Sequence, residues 1–305
     1  MSSIKTNQNN HVHSDSCHEH HEHKHEHGNC EHHEHKHEHG NCEHHHHHSH
    51  DGHAQHQRYT FTKEELSVFE SESIEELMQR ADDHLTADEF GKVVPIFEIA
   101  YAKSQARNSQ NAEAMQELMN LKQNLSFSYG IIGEHKNAIP LWKSVIEYEE
   151  QSGGDCADLL DDYFGIALSY EQCDMDEEFL MYIQKGLTLA KENNFDEYVA
   201  SFEHELGAFY CDSASFEKSE MHFKNAIEIR EKLEDIAGMA TSKLNMGVLF
   251  EEQKKYDQAK KYYESALELT KYEDYSDELT EERAELEFRL AQIQNANLKN
   301  KLLNI

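Results

Sequence analysis

The strongest pattern along the chain is a recurring set of small and large apolar positions on a polar background. Residues 244–269, LNMGVLFEEQKKYDQAKKYYESALEL, carry it most clearly, with Gly247, Phe250, Ala259, Tyr263 and Ala266 distributed over two amphipathic helices. Residues 204–229, HELGAFYCDSASFEKSEMHFKNAIEI, repeat it with Gly207, Tyr210, Ser219, Phe223 and Ala226. In both stretches the later residues follow the first small one by 3, 12, 16 and 19 positions. The same offsets recur in Ala167, Tyr170, Phe179, Ile183 and Gly186, and in Ser126, Tyr129, Ala138, Trp142 and Val145. A fifth, earliest copy has Ala81, His84, Val93, Phe97 and Ala100. The first small residues fall at 81, 126, 167, 207 and 247, which are 45, 41, 40 and 40 residues apart.

A period in this range marks a stack of helix pairs, in which no pair buries its apolar face alone and neighbours must cover one another. Small residues on the first helix of a pair (helix A) admit the second (helix B), and aromatics fill the gaps between neighbouring repeats. Pro95 and Pro140 fall at the same place in the two earliest copies, early in helix B, where proline removes few hydrogen bonds. The pattern resembles the tetratricopeptide repeat family, whose standard unit is ~34 residues. Longer helices or longer loops account for the excess. In that respect the chain is similar to long-repeat members such as kinesin light chain and the bacterial Rap-type peptide sensors.

The chain has only two prolines and 13 glycines, too few for a sheet that turns every few residues. The predicted fold is therefore all-α. A right-handed α-solenoid of about five helix pairs spans 74–272, with repeats near 74–108, 119–153, 160–194, 200–234 and 240–272. Leu279, Leu286, Leu290 and Ile293 give residues 276–305 an apolar stripe, which predicts a helix capping the open end of the stack. Residues 58–73 are a linker or short helix, with Thr62 and Glu65 spaced as a capping box.

Residues 1–57 break the pattern. They contain 21 of the 25 histidines and almost no large apolar side chain, so a disordered arm is expected. Its units open on cysteines. Cys17 leads His18, His20, His21, His23, His25 and His27; Cys30 leads His32, His33, His35, His37 and His39. Cys42 leads His44, His45, His46, His47, His48, His50 and His53. Imidazole and thiolate are the ligand types of zinc, nickel and their neighbours, and alternate histidines place several within reach of one ion. Zinc or nickel is the expected cofactor, with no organic one. The tract also reads as a low-complexity expansion without a role.

The formal net charge of the chain is −32. Residues 58–305 hold 25 basic and 51 acidic side chains, a net of −26, so the body is acidic without the arm. Such a surface repels phosphate backbones and anionic membranes, which excludes nucleic acid and membrane as partners. The N-terminus, MSSIKTNQNN, lacks the apolar core of a signal peptide, and the expected location is cytoplasmic. Phosphate loops, nucleophile elbows and zinc-protease motifs are absent, so no enzyme is expected.

The family resemblance implies that the inner face of the A helices takes a peptide or partner helix. Asn124 and Asn245 precede the small residue of their repeats by two positions, where relatives use asparagine on a ligand backbone; Gln79, Gly165 and Glu205 stand there in the others. Asp212 and Glu251, with Asp161, Glu171 and Glu252, are expected near the groove and favour a basic or neutral ligand. The basic residues of a carboxylate clamp are not matched. The resulting expectation is a protein-interaction module whose arm binds divalent metal. The alternatives are a peptide-responsive regulator of the Rap type, or an adaptor with an incidental arm. His84, His135, His204 and His222, and Cys156, Cys173 and Cys211, are expected to be packing residues.

Overall fold

The structure is a computed structural model that describes residues 57–87, 89–107, 111–271 and 279–303, with side chains as far as residue 295. The expected arm lies outside these residues. Every regular element among the described residues is a helix. A short α1 (Lys63–Ser71) precedes five helix pairs. They are α2 (Ile74–Thr86) with α3 (Phe90–Ala106), α4 (Ala112–Ile131) with α5 (His135–Ser152), α6 (Cys156–Glu171) with α7 (Asp176–Asn193), α8 (Asp196–Asp212) with α9 (Phe216–Leu233), and α10 (Ile236–Glu252) with α11 (Tyr256–Leu269). The helix α12 (Thr280–Leu303) follows. Each helix packs on its pair-mate, and each B helix packs on the A helix of the next pair, so the elements stack as a solenoid.

Side-chain caps set several helix starts. Thr62 and Glu65 form a capping box on α1, as Ser73 and Glu76 do on α2. Asn111, Asp155 and Asp235 accept from the first-turn amides of α4, α6 and α10. These A helices begin at 112, 156 and 236, four to seven residues ahead of the repeat starts read from the sequence. The connections are short: residues 213–215 join α8 to α9, and 234–235 join α9 to α10. The 40-residue period thus comes from long helices rather than long loops.

The turns recur in phase. Gly133, Asp174, Ala214 and Lys254 sit in the A-to-B turns with φ of 76°, 55°, 53° and 59°. Gly153, Asn194 and Glu234 do the same between pairs. A left-handed residue lets the chain reverse within two or three positions, and in the later pairs side-chain-bearing residues accept that conformation.

The small positions admit aromatic rings. A Cβ on Gly207 would lie 2.6 Å from the Phe223 ring, and one on Gly247 would lie 2.3 Å from that of Tyr263. These aromatics fill space inside their own pair. Others bridge neighbours, with Gly165 under Trp142 of the preceding pair and Gly186 under Phe202 of the following one. Ring filling therefore serves both junctions rather than the gap between repeats alone.

The core forms two apolar clusters. One runs from Phe61 to Leu206, and the other from Phe223 to Ile293. Polar groups lie where they meet. The buried Glu203 of α8 accepts from Lys191 Nζ at 3.0 Å, His222 Nδ1 at 2.8 Å and Asn225 Nδ2 at 3.1 Å. Burial alone would raise its pKa, but the bonds from His222, Asn225 and Lys191 hold it down to about 2. Leu279, Leu286, Leu290 and Ile293 are buried, so α12 covers the last pair through the expected stripe. At the other end, Tyr59 N–H donates to Gly91 O at 2.8 Å, and Arg58 spans Glu98 and Glu134.

Candidate functional site

The A helices present the candidate surface, and their sequence makes it distinctive. Helices α2, α4, α6, α8 and α10 hold 17 carboxylates against three cations, Arg80, Lys122 and Lys243, a net of −14. The five B helices hold 15 against 12, a net of −3. Helices α6 and α8 have no lysine or arginine at all. The last turns of α4, α6, α8 and α10 contain no basic residue, and three of these helices close on Glu171, Asp212 and the pair Glu251–Glu252. Carboxylates at that end add to the negative pole of the helix dipole, an arrangement that attracts cations.

An apolar line crosses this acidic field. Phe127, Leu168, Ala208 and Val248 immediately follow the small residues of four successive A helices. Phe127 is 58% exposed, and the other three are half-buried. Asn124, Glu205 and Asn245 lie three residues earlier in their helices, while Glu171, Asp212, Glu251 and Glu252 lie three or four residues later. Helical spacing places each group a turn from the line.

The individual side chains have different surroundings. Asn124 is half-buried. Gln79 is exposed and donates to Asp83 Oδ1 at 3.2 Å. Asp212 is exposed at the end of α8. Asn245 is buried, and its Nδ2 lies 3.1 Å from His204 Nε2. His204 Nδ1 reaches Ser242 Oγ at 3.0 Å, and Ser242 Oγ also accepts from Arg230. The amide of Asn245 is thus joined to an internal chain across α8, α9 and α10. Glu205 is buried in the same region, where its charge acts on Arg230. Glu251 faces the cap, accepting from Tyr263 Oη at 2.6 Å and from Arg289 of α12 at 3.3 Å. The apolar line itself escaped the sequence reading, although its signal was present one position beyond each small residue.

The remaining histidines do not converge. His84 Nδ1 pairs with Glu89 at 2.7 Å, and His222 belongs to the Glu203 cluster. No group of three or more metal-ligand side chains occurs among the described residues. The ligands expected for zinc or nickel, from Cys17 to His53, lie outside them. Cys156, Cys173 and Cys211 are free and half-buried, and burial pushes the Cys211 thiol up to about 12, so it is not a ready nucleophile. Among the described residues no helix is long and apolar enough to cross a membrane.

Known proteins place this architecture. The family model of the tetratricopeptide repeat matches residues 198–271, which cover the two pairs with the clearest pattern. Over that stretch the chain matches the tetratricopeptide repeat, and the whole body has the solenoid fold of proteins built from such repeats. The crystal structure of apo RapI superposes with a TM-score of 0.58 at 16% identity, covering 67% of this chain and 72% of that one. BtubC (BKLC) from P. vanneervenii gives 0.54 at 18%, covering 64% and 79%. The putative kinesin light chain of Podosopora anserina, built of nearly identical repeats, gives 0.53 at 13%, covering 65% and 94%. At these identities the likeness concerns the fold. No protein of curated function matches the chain.

Proposed function

We propose that the chain is a non-catalytic interaction module that docks a basic or neutral protein segment on its A-helix face and binds divalent transition metal through its histidine-rich arm. The exposed Phe127, on one of five A helices that together hold a formal net charge of −14, carries the docking half of this reading. A large apolar side chain left in water on a helix set rich in carboxylates suits a segment with basic residues around an apolar anchor. In this reading Asn124 and Gln79 bond its backbone and Asp212 meets a cation. Asn245 acts from behind, through His204. Glu205 sets the local field, and Glu251 joins the face to its cap.

The metal half rests on the composition of residues 17–53, which supply three thiols and 18 imidazoles as ligands. A ligand set of this composition suits buffering, delivery or sensing of zinc or nickel.

Selection of phage-displayed random peptides on the full chain tests the docking. Enriched sequences should be basic with an apolar anchor and lose at least tenfold in affinity on Phe127→Glu. Acidic sequences, or binding indifferent to that change, would refute it. Calorimetric titration of zinc and nickel into the full chain and into residues 58–305 tests the arm. Micromolar, saturable binding lost with the arm supports the reading, and weak unsaturable binding opposes it.

A further inference from the structure

Two oxygens inside the body raise a problem of charge. Asp162 of α6 is fully buried. Its Oδ1 accepts from Gln123 Nε2 of α4 at 2.8 Å. Its Oδ2 meets no donor, and neither does Glu149 Oε2 of α5. The two carboxyl groups lie within hydrogen-bonding reach of each other. A buried carboxylate oxygen without a donor is costly, and two facing carboxylates repel. A proton between them removes both penalties.

We infer that Glu149 and Asp162 share one proton, and that this proton latches the joint between the second and third helix pairs, making it sensitive to pH. The surroundings hold the proton in place. Asp155, Asp158 and Asp161, from α6 and its cap, add negative charge around the pair. Three cations of the adjacent helices are engaged elsewhere. Lys122 of α4 donates to Ser144, and Lys143 of α5 faces the ring of Tyr170. Lys185 of α7 pairs with Glu150 at 2.9 Å, and Glu150 also accepts from Tyr163. Burial first, then the Glu149 charge, pushes Asp162 up to about 8, and burial raises Glu149 as well.

The latch sits on α6, a helix that also supplies part of the proposed docking face. Asp161, the neighbour of Asp162, accepts from Tyr198 Oη of α8 at 2.7 Å, and α6 also carries Leu168 and Glu171. Loss of the proton leaves two charges where the interior accommodates one, and α6 loosens against α4 and α5. Any effect on docking rests on the reading proposed above. The latch itself does not, so its test follows α6 and not a ligand.

The folded pair keeps a proton that the opened chain releases above the ordinary carboxylate range. Opening therefore becomes easier as pH rises from ~4 towards ~8, and levels off once the folded pair has ionised. Native-state hydrogen exchange on the full chain should show the opening constant of α6 rising about tenfold per pH unit between about pH 5.5 and 8. Asp162→Asn and Glu149→Gln retain the shape and supply an amide donor, so each should flatten that slope. The infrared carbonyl band of a protonated carboxyl should be present near neutral pH, absent in Asp162→Asn, and lost from the parent protein in alkali. An equal slope in parent and variants, or no such band in the parent, overturns the inference. The parent spectrum decides the matter even if neither variant folds.

Discussion

Gly247 and Tyr263 face each other across the last helix pair so closely that a Cβ on the glycine would lie 2.3 Å from the ring. The tyrosine is fully buried, and its hydroxyl is fixed on Glu251 at 2.6 Å, so it cannot swing away. Gly247→Ala should therefore destabilise the body by roughly 1–3 kcal/mol through overpacking. Gly130→Ala is the control. Nothing lies within 4 Å of its new methyl, and the change should be neutral or stabilising by up to ~1 kcal/mol. Urea unfolding of both variants would separate close approach from a general intolerance of the added methyl.

Ala214 and Lys254 occupy matching turns with positive φ and exposed side chains. Glycine adopts that backbone without the Cβ penalty, so Ala214→Gly and Lys254→Gly should each stabilise by about 0.5–1 kcal/mol. A fall in thermal midpoint for both would show that the left-handed conformation is relaxed at these sites.

The Glu203 cluster predicts behaviour in acid. Its carboxyl is held down to about 2, so the folded state prefers the ion. That contribution is complete above the ordinary carboxylate range and fades as pH falls through roughly 4.5 to 2. Glu203→Gln leaves Lys191 and His222 without their anion and should cost about 1–3 kcal/mol near neutral pH. The gap between variant and parent should shrink on acidification. A gap that stays constant through this window would show that Glu203 contributes by shape alone.

Phe127→Ala should leave stability within about 0.5 kcal/mol of the parent, because the ring is largely in water. The same change should weaken capture of a basic peptide by roughly tenfold or more, the range of an anchor residue. Fluorescence anisotropy on one enriched peptide, with unfolding measured in parallel, reads both quantities.

A chelator should leave the helical circular dichroism and thermal midpoint of residues 58–305 unchanged, since no described cluster can hold an ion. In the full chain it should strip zinc or nickel from the arm. Loss of body stability on chelation would point to a structural ion and contradict the division of labour proposed here.

Helix pairing was legible in the sequence because it depends on residues along a single helix face. Gly207 and Phe223, sixteen positions apart, announce a close approach that any two adjacent helices must make. The left-handed turns were less legible, since Ala214, Glu234 and Lys254 are not residues that usually mark such a conformation. The surroundings of site residues depend on three helices at once. Asn245 reads as a groove amide from its position, but the approach of α8 buries it against His204. Glu251 reads as a groove carboxylate, but α12 brings Arg289 to it. The proton shared by Glu149 and Asp162 was hidden for the same reason, because acidic residues are abundant in this chain and only packing singles out two of them. Phe127 stood in plain sight, one place after a small residue, as one hydrophobic among many.

The turns carry a consequence for ancestry. Asp174, Ala214 and Lys254 stand forty residues apart in the same backbone conformation, and Asn194 and Glu234 keep the same interval. Each pair therefore hands the chain to the next in the same orientation. A gene segment encoding one forty-residue block could be duplicated or deleted in frame without re-aiming the blocks on either side, provided α1 and α12 still close the ends. The binding surface would then lengthen or shorten by whole units, and descendants of one ancestor could measure partners of different lengths with the same joint.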